Sequence, residues 1–147
     1  SKAYDKAFQN YKNYNISSIS CPLFVPIVEE GWENTEIAHQ VATKYLSRFN
    51  SINLDTIILA CTHYPMLIKT LQSVFHNLGY TNLTMIDSGS AIANYLSTEL
   101  SFTQHIQTNN IVNLSDEFYV TDTSHQFNEL ANRFLGENIP NIKLIAL

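Results

Sequence analysis

The fold of this chain is decided by one stretch, Leu54-Asp55-Thr56-Ile57-Ile58-Leu59-Ala60-Cys61-Thr62-His63-Tyr64-Pro65. Its first seven residues have the continuous apolar character of a strand that is covered on both faces. Pro65 suits the first turn of a helix, where the backbone nitrogen needs no hydrogen to donate, and Gly79 is suited to end that helix. Its inner face is predicted to be Leu67, Leu71, Val74, Phe75 and Leu78. The stretch therefore predicts a strand that turns directly into a helix.

Strands and helices alternate along the rest of the chain. Predicted strands cover residues 23–28, 54–60, 83–86, 118–121 and 142–147. Predicted helices cover residues 1–14, 34–49, 65–79, 90–100 and 124–135, and residues 104–114 are polar and irregular. Because Pro26 cannot donate a ladder hydrogen bond, we expect 23–28 to be an edge strand or an extended connection. The alternation predicts an α/β fold with mainly parallel sheets flanked by helices.

The strand-to-helix turn carries residues that can do chemistry. Ligands of open α/β sheets bind at the carboxyl ends of the strands, where Cys61 is expected. The thiolate is the reactive form of cysteine, and a helix N-terminus or an imidazolium stabilises it. Thr62 and the first helix amides can hold a carboxylate, and His63 can stabilise a thiolate or move its proton. The same pattern also suits a buried structural cysteine with a capping threonine and a packed histidine, so the residues alone leave both interpretations open.

Three further positions outside this turn carry side chains that can do chemistry. Glu29, in Glu29-Glu30-Gly31, can bind an ammonium group or orient His63, although a solvated turn is the commoner use of such a carboxylate. Cys21, before Pro22, is predicted to be a small buried residue. Asp87-Ser88-Gly89 is predicted to be a turn in which Asp87 caps the next helix. No metal site is predicted, because the remaining histidines lack ligand spacing with cysteines or carboxylates: His39, His76, His105 and His125.

Composition excludes several classes of function for the 147-residue chain. Hydrophobic residues make up 45% and charged residues 14%, which allows a packed core. The net charge is -5 and the eight Lys and Arg residues are scattered, so a nucleic-acid surface is not expected. No apolar stretch approaches about 18 residues, and the N-terminus does not resemble a signal peptide. We therefore expect a cytoplasmic protein with free thiols and no membrane contact.

Three segments together resemble the glutamate racemases of the aspartate/glutamate racemase superfamily. They are Cys21-Pro22-Leu23-Phe24-Val25-Pro26-Ile27-Val28-Glu29-Glu30-Gly31, Leu59-Ala60-Cys61-Thr62-His63-Tyr64-Pro65, and Ile86-Asp87-Ser88-Gly89. Their order and spacing also fit, and the likeness covers essentially the whole chain as the C-terminal half of a family member. The Cys-Thr-His-Tyr-Pro segment is highly specific when it is combined with the first one.

The resemblance implies an isomerase that interconverts L- and D-glutamate without a cofactor and supplies D-glutamate for peptidoglycan. In this family two cysteines on opposite sides of the substrate exchange the α-proton. Carried over by motif, Cys61 is the second of these cysteines and acts on the L-enantiomer. Thr62 and His63 match substrate-contacting positions, His63 also assists Cys61, and Glu29 matches a carboxylate near both. Family members are commonly dimers, so a homodimer is compatible with the resemblance.

The chain departs from the family in what it lacks. The first catalytic cysteine and an Asp-Ser substrate loop lie upstream in the family and have no counterpart here, and Cys21 matches a non-catalytic position. Since the chain starts at Ser1 and not at Met, we expect the natural protein to extend further and the 147-residue chain alone to be inactive. By analogy with the two-lobed family fold, residues 1–82 are assigned to the second lobe and residues 83–147 return to the first. In isolation, residues 83–147 are expected to leave apolar helix faces uncovered.

Two other functions stay open at the level of sequence. An aspartate racemase-like enzyme is the nearest, although such enzymes tend to carry a carboxylate where His63 stands. A truncated, non-catalytic remnant that binds glutamate or a partner protein belongs to a different class. A zinc protein is a more distant third. The sequence upstream of Ser1 would separate the enzyme from the remnant.

Overall fold

A computed structural model describes residues 2–102, 117–122, 125–138 and 142–146. Its helices are α1 (Ala3–Phe8), α2 (Phe24–Glu29), α3 (Glu36–Leu46), α4 (Ile68–Asn77), α5 (Ser88–Phe102) and α6 (His125–Leu135). Its strands are β1 (Thr56–Leu59), β2 (Thr84–Asp87), β3 (Phe118–Val120) and β4 (Ile142–Leu144). A short 3-10 turn, Ser47–Phe49, follows α3, and another, Tyr64–Leu67, precedes α4.

The strands form two parallel pairs. β1 pairs with β2 in a register that sets Thr56 opposite Thr84 and Leu59 opposite Asp87. β3 pairs with β4 in the same sense. Parallel pairs joined through helices confirm the predicted α/β class. The division of the chain at residue 82 stays a prediction.

The core lies between helices α2, α3 and α4 and the end of β1. Its buried members include Phe24, Ile27, Val28, Ala38, Ala42, Leu46, Leu59, Leu67, Leu71, Val74 and Phe75. The predicted inner face of α4 is confirmed, although Leu78 is only partly buried. Gly79 ends this helix with a φ of 94°, a left-handed conformation that favours glycine. The cluster fixes α4, and with it the turn that follows β1.

The strand predicted at residues 23–28 is wrong, because these residues form helix α2. Pro26 is the third residue of that helix. The first four amides of any helix have no acceptor within it, so a proline in the first turn costs no hydrogen bond. Phe24, Ile27 and Val28 are buried, so one face of the short helix enters the core. Pro26 therefore marks the first turn of a helix and not an edge strand.

Other predictions need smaller corrections. The first helix is shorter than predicted and ends at Phe8. The helix predicted from residue 34 begins at Glu36, and Thr35 caps it with a hydroxyl that accepts the amide of Ala38 at 3.4 Å. β1 is not covered on both faces, because Ile58 in this strand is 38% exposed. The predicted irregular segment 104–114 lies outside the described residues.

Helix α5 has an uncovered apolar face, as expected for residues 83–147. Ile92, Tyr95 and Leu96 are 58%, 64% and 49% exposed. Contiguous apolar surface of this kind is typical of a face that packs against another part of a protein. None of the helices in the described ranges has the length and apolar character needed to cross a lipid bilayer.

Replacing Phe75 by alanine should lower the free energy of unfolding by about 3–5 kcal/mol, because a large buried ring leaves a cavity. Phe75 is 1% exposed and contacts the rings of Phe49 and Tyr80. The matched control is Ile37→Ala on α3, where the side chain is 50% exposed and the change should stay within about 0.5 kcal/mol. Urea denaturation of both variants measures the difference, and equal losses would contradict this account of the core.

Candidate active site

The turn between β1 and α4 holds the three candidate residues Cys61, Thr62 and His63. It starts two residues after the end of β1 and runs into the 3-10 turn Tyr64–Leu67, which carries Pro65 at its start as predicted. The amide of Tyr64 donates to the carbonyl of Cys61 at 3.2 Å, which closes the turn. Cys61 is a free, partly exposed cysteine. The local sequence thus places a thiol directly before a helical segment at the carboxyl end of a parallel strand.

His63 lies between a hydroxyl and a carboxylate. Its Nε2 is 3.5 Å from Oε1 of Glu29, and its Nδ1 is 3.3 Å from the hydroxyl of Thr62. A neutral imidazole that carries its hydrogen on Nε2 would face the carboxylate with a donor and accept the hydroxyl proton of Thr62 at Nδ1. The His63 side chain is 27% exposed and that of Glu29 is 54% exposed. The structure therefore brings Glu29 and His63 together at the turn that also carries Cys61.

Glu29 reaches His63 because helix α2 packs on the turn that carries His63. Glu29 is the last residue of α2. The ring of Phe24, in the first turn of this helix, meets the ring of Tyr64 edge to face at 5.3 Å between centroids. The hydroxyl of Tyr64 donates to the carbonyl of Cys21 at 3.2 Å, just before α2. Aromatic packing and one hydrogen bond thus align the helix with the turn.

Cys21, the other cysteine of this chain, has an environment that is not suited to reaction. Cys21 is buried, as predicted, and burial raises the pKa of its thiol to about 11. Burial, followed by the nearby thiols of Cys21 and Cys61, also raises the pKa of Tyr64 to about 12. Desolvation disfavours the charged form of each group. Both groups therefore stay neutral at physiological pH and act as structural parts of the site.

Asp87 and Thr62 share a cleft of about 630 Å³ beside this turn. The cleft is also lined by Glu33, Lys69 and Arg133, so it carries charges of both signs. Cys61, His63 and Glu29 do not line it. Asp87 accepts the amide of Ser90 at 2.8 Å, and this bond holds the pKa of its carboxyl below the usual value. The predicted helix-capping role of Asp87 is confirmed.

Arg133 is a residue that the sequence interpretation missed. It lies on α6, and its guanidinium donates to the carbonyls of Val28 and Glu29 at 3.1 and 3.2 Å. It also pairs with the carboxylate of Glu33 at 3.3 Å. No local pattern marks it, because its partners lie more than ninety positions earlier in the chain. The described part of the chain contains no group of three His, Cys, Asp or Glu residues that could hold a metal ion.

Several known proteins that are similar to this chain are glutamate racemases. The glutamate racemase of Sulfurihydrogenibium sp. is 35% identical over 136 residues, which are 92% of this chain and 45% of that protein. The glutamate racemase of Chlorobaculum parvum is 32% identical, over 100% of this chain and 53% of that protein. This chain is homologous to glutamate racemases. The resemblance that the sequence motifs indicate is confirmed, although no family model matches the chain.

Solved glutamate racemase structures agree with this family assignment. The enzyme of Francisella tularensis, in complex with D-glutamate, superposes with a TM-score of 0.81 at 26% identity, over 97% of this chain and 51% of that one. A Bacillus anthracis isoform gives a TM-score of 0.77 at 31% identity, over 98% of this chain and 52% of that one. The chain thus spans about half the length of the glutamate racemases it matches.

The free energy of unfolding should fall as the pH rises from about 9 to about 12. Raised pKa values of Cys21 and Tyr64 mean that the neutral forms stabilise the fold, and this contribution is lost as each group ionises in the folded state. The double variant Cys21→Ala/Tyr64→Phe should reduce the slope in that window. Urea denaturation at a series of pH values measures it, and an unchanged slope in the double variant would refute the assignment.

Proposed function

We propose that this chain supplies one half of a glutamate racemase site, in which Cys61 exchanges the α-proton of L-glutamate. Its glutamate racemase homologues support the proposal. The observation that carries it is a partly exposed Cys61 on the same turn as His63, whose imidazole lies 3.5 Å from the carboxylate of Glu29. An imidazole and a carboxylate beside a thiol form a set that can generate a thiolate base.

The proposed reaction needs two thiols on opposite faces of the substrate. The thiolate of Cys61 removes the α-proton of L-glutamate, so the C–H bond breaks, an S–H bond forms and the electron pair stays on the α-carbon. A second cysteine, which the resemblance places upstream of this chain, then delivers a proton to the opposite face and gives D-glutamate. In the reverse direction the thiol of Cys61 donates its proton and L-glutamate forms. No electron leaves the system, so the proton transfers balance without a cofactor.

The neighbours of Cys61 take distinct roles in this scheme. Glu29 orients His63 through the contact of 3.5 Å between its carboxylate and the imidazole. His63 assists Cys61 in the transfer of the proton. Thr62 is a candidate to bind a substrate carboxylate. Solved relatives hold D-glutamate and beta-chloro-D-alanine, which supports an amino-acid ligand for this chain as well. The product D-glutamate would serve peptidoglycan synthesis.

The lobe division and the location of the protein belong to the same proposal. Residues 1–82 are proposed to form part of the second lobe, and residues 83–147 to return to the first. We also propose a cytoplasmic location, which the free thiols of Cys21 and Cys61 support. A homodimer of the full-length protein is proposed on the resemblance to glutamate racemases.

Full-length protein that contains this chain should catalyse loss of the α-proton signal of both L- and D-glutamate in deuterated buffer, with no cofactor added. Proton NMR follows the exchange, and chiral chromatography shows that both enantiomers form. The 147-residue chain alone should not convert L-glutamate into D-glutamate, because one thiol cannot serve both faces. L-aspartate is the substrate control. Exchange of aspartate instead of glutamate, or no exchange by folded full-length protein, would contradict the proposal.

Cys61→Ala in the full-length protein should lower the exchange rate of L-glutamate by on the order of 10²–10⁴-fold, because the base is removed. The matched control is Cys21→Ala, which removes the buried thiol and should leave the rate within about twofold at a temperature where the variant is folded, since Cys21 lies outside the proton-transfer set. Circular dichroism checks the fold of both variants. A Cys61→Ala enzyme that exchanges L-glutamate at the unaltered rate would end the assignment of Cys61 as the base.

A further inference from the structure

We propose that Arg133 is a positioning residue that holds the end of helix α2, so that the carboxylate of Glu29 stays against His63. The effect on turnover rests on the proposed function. The structural part of the proposal stands on the contacts of Arg133 alone. These contacts connect helix α6 to the site from a distant part of the chain.

Arg133 binds the backbone at the end of helix α2. One guanidinium nitrogen, Nη2, donates to the carbonyls of Val28 and Glu29 at 3.1 and 3.2 Å. The last carbonyls of a helix have no partner within the helix, so they accept such donors readily. A cation at this end also interacts favourably with the helix dipole. Arg133 therefore fixes the backbone of the residue whose side chain faces His63.

The other side of the guanidinium is held by Glu33. Nη1 of Arg133 lies 3.3 and 3.4 Å from the two carboxylate oxygens of Glu33, whose side chain is only 11% exposed. The carbonyl of Glu33 accepts the hydroxyl of buried Thr70 at 2.5 Å, and Thr70 lies on α4. Helix α4 continues directly from the turn that carries His63. Arg133 thus connects the Glu29 backbone to the same helix that supports His63.

Gly31 leaves the space that this arginine needs. Its φ is 74°, and a Cβ built on it would lie 2.6 Å from Nη1 of Arg133. A larger residue at position 31 would meet the guanidinium as well as adopting a disfavoured backbone conformation. The turn after α2 is therefore shaped both to reverse the chain and to admit Arg133.

Glu29 needs such support because its side chain is half exposed. The carboxylate is 3.5 Å from the imidazole of His63, and solvent competes with the imidazole for it. Holding the backbone of Glu29 restricts the positions that its side chain can take, which preserves the geometry of the pair. Loss of Arg133 should therefore act on catalysis through Glu29, and not through a general loss of structure.

A double-variant cycle in the full-length protein tests this route. Arg133→Met should lower kcat for L-glutamate by about tenfold with a smaller change in KM, while in the Glu29→Gln background it should cause less than about a twofold further loss. Arg133→Lys keeps the charge but loses the planar set of guanidinium donors, so it should give an intermediate loss of kcat. It replaces Arg133→Met in the double-variant cycle if the methionine variant does not fold. The matched control is Arg48→Met, which removes the exposed arginine on the 3-10 turn after α3 and should leave kcat unchanged. Equal fold-losses in the two backgrounds would overturn the proposal.

The alkylation rate of Cys61 by iodoacetamide gives a readout that does not require racemase activity. Arg133→Met should slow it several-fold, because an imidazole that Glu29 no longer holds in place assists the reacting thiolate less. A merely loosened structure would instead expose Cys61 and raise the rate. Slower alkylation in a full-length protein that does not racemise glutamate would refute the proposed function and support the positioning role. An unchanged or faster rate in a racemase would refute the positioning role alone.

Discussion

Tyr64 holds helix α2 against the turn that carries Cys61, Thr62 and His63, and the candidate site depends on this contact. Its ring packs edge to face on Phe24, and its hydroxyl binds the carbonyl of Cys21. Burial keeps the phenol neutral, so the hydrogen bond persists at all physiological pH values. This side chain links the βα turn to the short helix. The link sets Glu29, at the end of the helix, against His63 on the turn.

Much of this arrangement could be predicted from local sequence. The apolar strand, Pro65 in the following turn and the glycine at position 79 are local signals, and they gave the β1-to-α4 connection almost residue by residue. Helix α2 was missed because a proline within an apolar run is ambiguous between an edge strand and the first turn of a helix. Six residues are too few for periodicity to decide between the two. The decision is made by packing on Tyr64, which lies about forty positions later.

The part of the site that escaped prediction depends on contacts between distant residues. Arg133 meets the end of α2 across about a hundred positions, and no spacing rule links a single arginine on α6 with backbone carbonyls that far away. The covering of the apolar surface is a similar case. Ile58 and the exposed face of α5 read as core residues in sequence, yet they are exposed in a chain that spans half the length of its relatives. Burial depends on every segment that packs against a residue, so the sequence of this chain does not by itself determine it.

The brevity of helix α2 has a consequence for folding. In a helix of six residues the hydrogen bonds do not offset the free energy of nucleation. Helix α2 is therefore stable only while its tertiary contacts are made. Glu29 therefore reaches His63 only in the fully packed state, and site assembly is the same cooperative event as the docking of α2. Amides of this helix should report that event in native-state hydrogen exchange, because they open together with the contacts of Phe24 and Tyr64 and not by independent fraying. An electrostatic pair at the surface is in this way linked to the integrity of the core beneath it.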